Sequence, residues 1–136
     1  YLNEKEVIEF LTSGTGLIYF GYNTCPWCRN SVPILIEAAK ENNLNTIYYA
    51  DVHKLNIKFI RKELYGKLDS YLEENDEGNK VLGVPHIFSV KNGKILGNHV
   101  GTVDSYHNPY QKMTEEEKEE LLTIYKDLIM EMNKDE

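Results

Sequence analysis

Cysteine is scarce in this sequence, and so is positive charge. Only two of the 136 residues are cysteines, so no framework of several disulfides is available and the fold must rest on its own hydrophobic core. The formal net charge is −7, whereas a nucleic-acid-binding protein needs a basic surface. We therefore expect a single domain over residues 1–136 that has no nucleic-acid partner.

Long apolar stretches are missing as well. No apolar run in the sequence approaches the roughly 18 residues that a membrane-spanning helix requires, so we expect no membrane contact from this part of the chain. The sequence begins at Tyr1 rather than at Met, which leaves open a targeting or anchoring segment removed from its N-terminus.

Ligands for a metal or a haem are also few. The histidines are widely separated: His53, His86, His99 and His107. They lack the short spacing that would complete a zinc site with two cysteines, and Arg29 stands where covalent haem attachment requires histidine. A purely structural disulfide between Cys25 and Cys28 would close a very short loop and stabilise the fold little. Redox chemistry is the best explanation of the pair, with zinc and a structural bridge as minor alternatives.

What the sequence does contain is Cys25-Pro26-Trp27-Cys28, between a short apolar run and a helical pattern. Residues 17–20 are all apolar with glycine on both sides, which predicts a strand buried on both faces. Unpaired N–H groups and the positive dipole end at a helix N-terminus favour a thiolate. We therefore predict that Cys25 is an exposed nucleophile, and that Cys28 resolves the mixed disulfide formed at Cys25.

The rest of the chain predicts an alternation of helices and strands. Besides the strand at 17–20 the predicted elements are helices at 3–11, 25–42, 57–74 and from 114 onward, and strands at 46–52, 87–90 and 95–100. Residues 73–80 and 101–113 are predicted to be loops. Pro33 should kink or break its helix, and Asn92-Gly93 predicts a hairpin with a type I′ turn. The first strand–helix–strand unit should have parallel strands.

This order of elements resembles the thioredoxin fold over nearly the whole chain. Three features besides the cysteine motif carry the resemblance: Pro33 five residues past Cys28, Val84-Pro85 ahead of the hairpin, and Lys91-Asn92-Gly93-Lys94 followed by Gly101. The resemblance implies an α/β fold with a central mixed four-stranded sheet, a parallel βαβ unit plus an antiparallel hairpin, and helices on both faces. It also implies a cis Pro85 that packs beside the cysteines and leaves the Val84 backbone free to pair with an extended substrate segment.

The sequence departs from the thioredoxin pattern at positions that distinguish one subclass of this fold from another. Pro26-Trp27 looks more like the Pro-aromatic pair of glutaredoxins than like the Gly-Pro of thioredoxins. Tyr19 stands where thioredoxins carry a buried carboxylate, six residues before the first cysteine. A neutral phenol with a pKa of about 10 cannot act as the base for Cys28 at pH 7, so deprotonation would need water or another group. The long insertion between Val52 and Val81, together with the Gly101–Met113 loop, looks most like the thioredoxin-like bacteriocin transport accessory proteins of bacteria. The compartment stays open between the bacterial cytoplasm and the outer face of the cell envelope.

We accordingly predict a thiol–disulfide oxidoreductase that acts on protein thiols or disulfides, with no metal and no cofactor except its own disulfide. We expect a monomer that works with a separate reductant or oxidant, and the direction of transfer is left open. Trp27, exposed beside Cys25, should bind substrate together with Val84 and Pro85, while Pro26 and Pro33 give structural support.

Two other functions stay open. One is a redox-inactive binding module that docks partners on the Val84-Pro85 loop, and the other is a chaperone for a soft metal ion such as Cu(I). Two further residues are weaker candidates for a role in the chemistry. Arg29 is a candidate for stabilising the Cys25 thiolate, and His86 is a candidate proton relay.

Overall fold

Helices and strands alternate along the chain. The computed structural model describes residues 1–134. Its helices are α1 (Glu4–Ser13), α2 (Pro26–Glu41), α3 (Ile57–Leu68) and α4 (Glu115–Met132), with a 3₁₀ turn at Asp69–Tyr71. Its strands are β1 (Gly16–Gly21), β2 (Ile47–Asp51), β3 (Glu73–Glu74), β4 (Lys80–Val81), β5 (His86–Lys91) and β6 (Lys94–Val100). Within the described residues no helix is both long and apolar enough to cross a bilayer.

The central sheet has four strands in the order β2-β1-β5-β6. β1 is parallel to β2 and antiparallel to β5, so the predicted parallel unit and the predicted hairpin share one sheet. The hairpin turns at Asn92 and Gly93, whose φ angles are 51° and 80°. Two consecutive positive φ angles are the requirement of a type I′ turn, which the Asn-Gly pair predicted.

Helices cover both faces of this sheet. Leu17 and Tyr19 of β1 belong to a buried cluster with side chains of α2 and α4. Ile18 and Phe20, which point to the other face, belong to a second cluster with side chains of α1 and α3. Every residue of β1 is buried, because alternate side chains enter different cores. The predicted fold class and the doubly buried first strand are confirmed.

Two predicted helix starts are confirmed by their capping groups. Asn3 and Thr114 each form a capping box with the glutamate three residues later, at the first turns of α1 and α4. The break expected at Pro33 does not occur: α2 runs without interruption through this residue, which is exposed. Proline supplies no N–H to the helix ladder, but its exposed position leaves the buried face of α2 intact.

The segment after α3 differs from the prediction of one long helix followed by a loop. α3 ends at Leu68, and the 3₁₀ turn still brings Leu72 into the core beside Leu68. β3 and β4 then pair as a short antiparallel hairpin. Its turn is closed by the Asn75 side chain, whose oxygen accepts the N–H groups of Glu77 and Asn79. The polar composition of residues 73–80 correctly predicted that they are exposed to solvent, but it did not predict that their backbones pair.

The connection between β6 and α4 contains no helix or strand, as predicted for residues 101–113. Three of its side chains are nevertheless buried in the core that contains the cysteines: Val103, Tyr106 and Met113. This connection is therefore anchored to the core by apolar packing, which places it beside the cysteine motif.

Gly93 joins the hairpin to the end of α1, and this contact generates a stability prediction. Its N–H donates to the Gly14 carbonyl at 2.9 Å, and a Cβ at position 93 would lie 2.0 Å from the Thr12 carbonyl oxygen. Gly78 has the same φ of 80° with nothing within 4 Å. Gly78→Ala should lower the free energy of unfolding by about 1–2 kcal/mol from φ alone, and Gly93→Ala by a further 1–3 kcal/mol or so from the clash.

Urea unfolding of the two alanine variants beside the parent protein measures both terms. Equal destabilisation by the two substitutions would contradict the close approach of the hairpin turn to α1.

Candidate active site

Cys25 is the N-cap of α2, and its sulfur already accepts a helix N–H. The Cys28 N–H donates to Cys25 Sγ at 3.2 Å, and the Arg29 N–H donates to the Cys25 carbonyl at 3.0 Å. Pro26 occupies the first turn, where its missing N–H removes no helix bond. The predicted helix-terminal position of Cys25 is confirmed, and both cysteines lie within one turn.

Both cysteines are buried, which corrects the prediction of an exposed Cys25. Each is only 2% exposed, and they lie in one apolar cluster. Trp27, predicted to be exposed, is half-buried and packs against this cluster. Its ring meets Tyr106 edge to face at a centroid distance of 5.5 Å. This contact is long-range, because Tyr106 lies in the connection after β6.

Cys28 lies in surroundings that disfavour its charged form. Burial, together with the neighbouring Cys25, raises the pKa of Cys28 to about 11. The Tyr19 hydroxyl acts in the opposite direction and lowers this pKa. Among residues 1–134 no carboxylate is hydrogen-bonded to Cys28 or shifts its pKa, as predicted from Tyr19 in place of an acid. At neutral pH Cys28 is a protonated thiol.

Three hydroxyl groups lie around Cys28 in the same core. The Ser31 hydroxyl donates to the Cys28 carbonyl at 3.1 Å. Tyr19 and Tyr125 are buried, and neither hydroxyl has a hydrogen-bond partner among the described residues. Burial raises the pKa of both phenols, and Cys28 raises it further. The polar groups of this core near Cys28 are therefore uncharged hydroxyls, and no carboxylate of the described residues acts on Cys28.

A cleft of about 520 Å³ opens from the surface to Cys28. Tyrosine rings and aliphatic side chains form most of its wall: Tyr1, Tyr19, Tyr22, Asn23, Cys28, Arg29, Val32, Pro33, Leu35, Ile36, Ile47 and Tyr49. Cys25 is not part of this wall. Arg29 is exposed and lines the cleft that leads to Cys28, so its position does not support the expected role at the Cys25 thiolate.

The Val84-Pro85 segment precedes β5. Its peptide bond is cis, and Pro85 is buried. The Pro85 carbonyl accepts the Gly101 N–H at 2.8 Å, whereas the N–H and C=O of Val84 have no hydrogen-bond partner in the described chain. Val84 is half-buried and packs against both cores. An unpaired backbone at this place can pair with an added strand. Contact between Pro85 and the cysteine pair stays a prediction.

His86 is fully buried, on the opposite face of the sheet from the cysteines. Its ring stacks on Phe88 at 4.1 Å, within the cluster of α1 and α3, while Cys25 and Cys28 belong to the other cluster. Its Nε2 pairs with the Asn98 amide, and its Nδ1 has no partner among residues 1–134. The sheet separates the imidazole from the cysteines, so the hypothesis of a proton relay through His86 is not supported.

The strand order, the positions of the helices and the position of the cysteine motif together identify the fold. The chain has a thioredoxin-like fold. Its sheet order is β2-β1-β5-β6, its two-cysteine motif starts the helix after β1, and Val84-Pro85 precedes β5. These features, rather than overall similarity to another protein, carry the assignment.

Comparison with known proteins gives weak overall similarity. No protein-family model and no curated protein matches the chain. Among solved structures it is similar to a thioredoxin from Aeropyrum pernix, at 21% identity over 74% of this chain and 73% of the other, with a TM-score of 0.46. An oxidised thioredoxin from Plasmodium falciparum shows 16% identity, coverage of 89% and 90%, and a TM-score of 0.46. A thiol:disulfide interchange protein from Chlorobium tepidum shows 13% identity, coverage of 86% and 83%, and a TM-score of 0.39.

Sequence reasoning missed Ser31, Tyr106 and Tyr125 as parts of the site. Ser31 had a local signal, because it follows Cys28 by three residues and so lies on the same side of α2. Tyr106 lies in a loop and Tyr125 in the last helix. Only tertiary packing brings these two rings to the cysteines.

The buried His86 predicts a pH dependence of stability. Burial, assisted by nearby His99, lowers the pKa of His86 to about 4, whereas unfolded histidine titrates near about 6.5. Between these values the unfolded state binds more protons, so stability falls as the pH is lowered from about 6.5 toward 4. Relative to His86→Gln, the parent protein should lose at most about 1.4 kcal/mol per pH unit in this window.

Chemical unfolding of both proteins at several pH values measures this difference. Parallel stability profiles for the parent and the Gln variant across the window would contradict a neutral, buried imidazole.

Proposed function

We propose that this protein is a thiol–disulfide oxidoreductase that exchanges a Cys25–Cys28 dithiol with disulfides of protein substrates. The observation that carries the proposal is the hydrogen bond from the Cys28 N–H to Cys25 Sγ at the N-cap of α2. A thiolate at Cys25 would keep this donor and would face the positive end of the α2 dipole. The second thiol lies one turn away, which suits attack on a mixed disulfide.

The exchange takes two steps in which sulfur atoms and electrons balance. The Cys25 thiolate attacks one sulfur of a substrate disulfide, forms a mixed disulfide and releases the other substrate sulfur as a thiolate. Cys28 then loses its proton and attacks Cys25 Sγ, so that the Cys25–Cys28 bond forms and the substrate leaves as its second thiolate. The substrate gains two electrons and the protein is oxidised by two. A separate dithiol reductant must restore the reduced pair, and the reverse sequence would oxidise a substrate dithiol.

The surroundings support unequal roles for the two cysteines. Because burial raises the pKa of Cys28 to about 11, this thiol is protonated and unreactive until a mixed disulfide is next to it. Cys25 has the N-cap position and the N–H donor. The order of reaction, Cys25 first and Cys28 second, follows from this difference.

Val84, which packs against the cluster that contains the cysteines, supports a backbone site for the substrate. The unpaired N–H and C=O of Val84 provide one donor and one acceptor for an extended peptide. Trp27 and Tyr106 add an aromatic contact that a partner could displace, and rigid aromatic side chains are common binding anchors. We propose that an extended segment around the substrate cysteine pairs with Val84 and takes the place of this contact.

Insulin reduction with a dithiol regenerant tests the activity. The protein should accelerate precipitation of the reduced insulin chains, and replacement of either cysteine by serine should abolish the acceleration. Cys28→Ser should also accumulate mixed disulfides, because Cys25 attacks and no second thiol resolves the adduct. Cys25→Ser is the matched control and should accumulate almost none.

Two results would favour the other functions. If the parent protein is inactive and its Cys28→Ser variant traps no mixed disulfide, the result would favour a redox-inactive binding module that docks partners through the Val84 backbone. An inactive parent protein that binds Cu(I) through both thiolates would instead indicate a soft-metal chaperone.

A further inference from the structure

The connection between β6 and α4 touches two segments of the candidate site. At its start the Gly101 N–H donates to the Pro85 carbonyl at 2.8 Å. Further along, the Tyr106 ring packs edge to face on Trp27, which stands between the two cysteines in the sequence. The connection therefore adjoins both the cis-proline segment and the cysteine motif.

A pair of hydrogen bonds from Asn30 fixes the far end of this connection to the motif. The side-chain nitrogen of Asn30 donates to the Pro26 carbonyl and to the Pro109 carbonyl, at 2.8 Å each. The two bonds use both hydrogens of one amide group. We call them the Asn30 bridge. Because Pro26 lies between the cysteines, the bridge joins the connection to the cysteine motif itself.

Tyr110 follows Pro109, and its backbone is held on both sides. The Tyr110 N–H donates to Asn108 Oδ1 at 3.0 Å. The carbonyl of the next residue, Gln111, accepts a hydrogen bond from the hydroxyl of the buried Tyr106. Tyr110 is nevertheless 84% exposed. A residue whose backbone is already fixed loses little freedom when a partner covers its side chain.

A single exposed aromatic side chain needs no explanation by itself. Phe59 is such a case: it is 80% exposed on α3, whose buried side chains pack on the other face of the sheet. Tyr110 differs because the Asn30 bridge holds its neighbour against the first turn of the cysteine helix. A polypeptide joined to Cys25 by a mixed disulfide has to pass over this part of the surface.

We propose that Tyr110 binds the protein substrate by packing its ring on an apolar side chain of the segment next to the substrate cysteine. Asn30 is then a positioning residue that keeps Tyr110 beside the motif. The proposal rests on the oxidoreductase function proposed above, since the occupant is the polypeptide that carries the disulfide. Tyr110 thereby favours polypeptide disulfides over small disulfides.

Reduction of insulin and of hydroxyethyl disulfide, with one dithiol regenerant, separates substrate binding from sulfur chemistry. Both reactions use the same two cysteines, but hydroxyethyl disulfide carries no peptide segment. Tyr110→Ala should lower the ratio of the two kcat/KM values, insulin over hydroxyethyl disulfide, about tenfold, as truncation of an aromatic anchor does. Tyr110→Phe should keep the parent ratio, because the ring carries the contact.

Phe59→Ala is the matched control. It removes an aromatic side chain of nearly equal exposure from the opposite face of the sheet. Both kcat/KM values should equal those of the parent protein.

A double variant tests the Asn30 bridge. Asn30→Ala should lower the ratio in the same direction as Tyr110→Ala, because the turn that carries the ring is released from α2. If Asn30 acts by holding Tyr110 in place, the two losses are not additive, and the double variant should equal Tyr110→Ala alone. Additive losses would contradict the positioning role of Asn30.

The outcomes distinguish substrate binding at Tyr110 from the function itself. An unchanged ratio in Tyr110→Ala, or an equal fall in Phe59→Ala, would overturn the binding role while the oxidoreductase function stands. Equal loss of both activities in Tyr110→Ala would also overturn it, since the residue would then support the cysteines rather than the substrate. A parent protein that reduces neither disulfide would overturn both the function and the binding role.

Discussion

The hydrogen bond from the Cys28 N–H to Cys25 Sγ connects the architecture of this protein to its proposed chemistry. The contact exists because β1 ends where α2 begins, so the first cysteine caps the helix in which the second lies. β1 is buried on both faces and fixed between β2 and β5, which holds this junction in place. The cap satisfies a helix N–H that would otherwise be unpaired, and the same N–H would stabilise a thiolate. One interaction therefore serves both helix stability and reactivity.

Burial of the cysteine pair has opposite effects on the two proposed steps. It excludes water from Cys25, which shares one apolar cluster with side chains of the connection after β6, and so disfavours free access of solvent in the first step. It also raises the pKa of Cys28, which opposes deprotonation in the second step. The cleft beside Tyr19 brings solvent to the buried thiol without exposing Cys25. Cys28 lines this cleft and Cys25 does not, so the cleft leads to only one of the two sulfurs.

Local patterns predicted most of the fold. The apolar run of β1, the Asn92-Gly93 turn and the capping box at Thr114 each depend on neighbouring residues, and the structure contains all three. The hairpin of β3 and β4 was missed because strands of two residues leave no periodic signal. The burial of Cys25 was missed for a different reason: the apolar cluster in which it lies is built from distant parts of the chain. The absence of an acid near Cys28 was predictable from Tyr19, but the cleft and the Tyr125 hydroxyl depend on tertiary packing.

The central claim is that Cys25 and Cys28 form a reversible redox pair, and an equilibrium titration tests it most directly. The protein is equilibrated in glutathione buffers of defined potential and quenched with an alkylating reagent, and the alkylated cysteines are counted by mass. The account predicts one two-electron transition, in which both thiols disappear together at a potential between about −270 and −120 mV, the span of such motifs. Two free thiols across the whole range, or glutathione bound to one cysteine with the other still free, would contradict it.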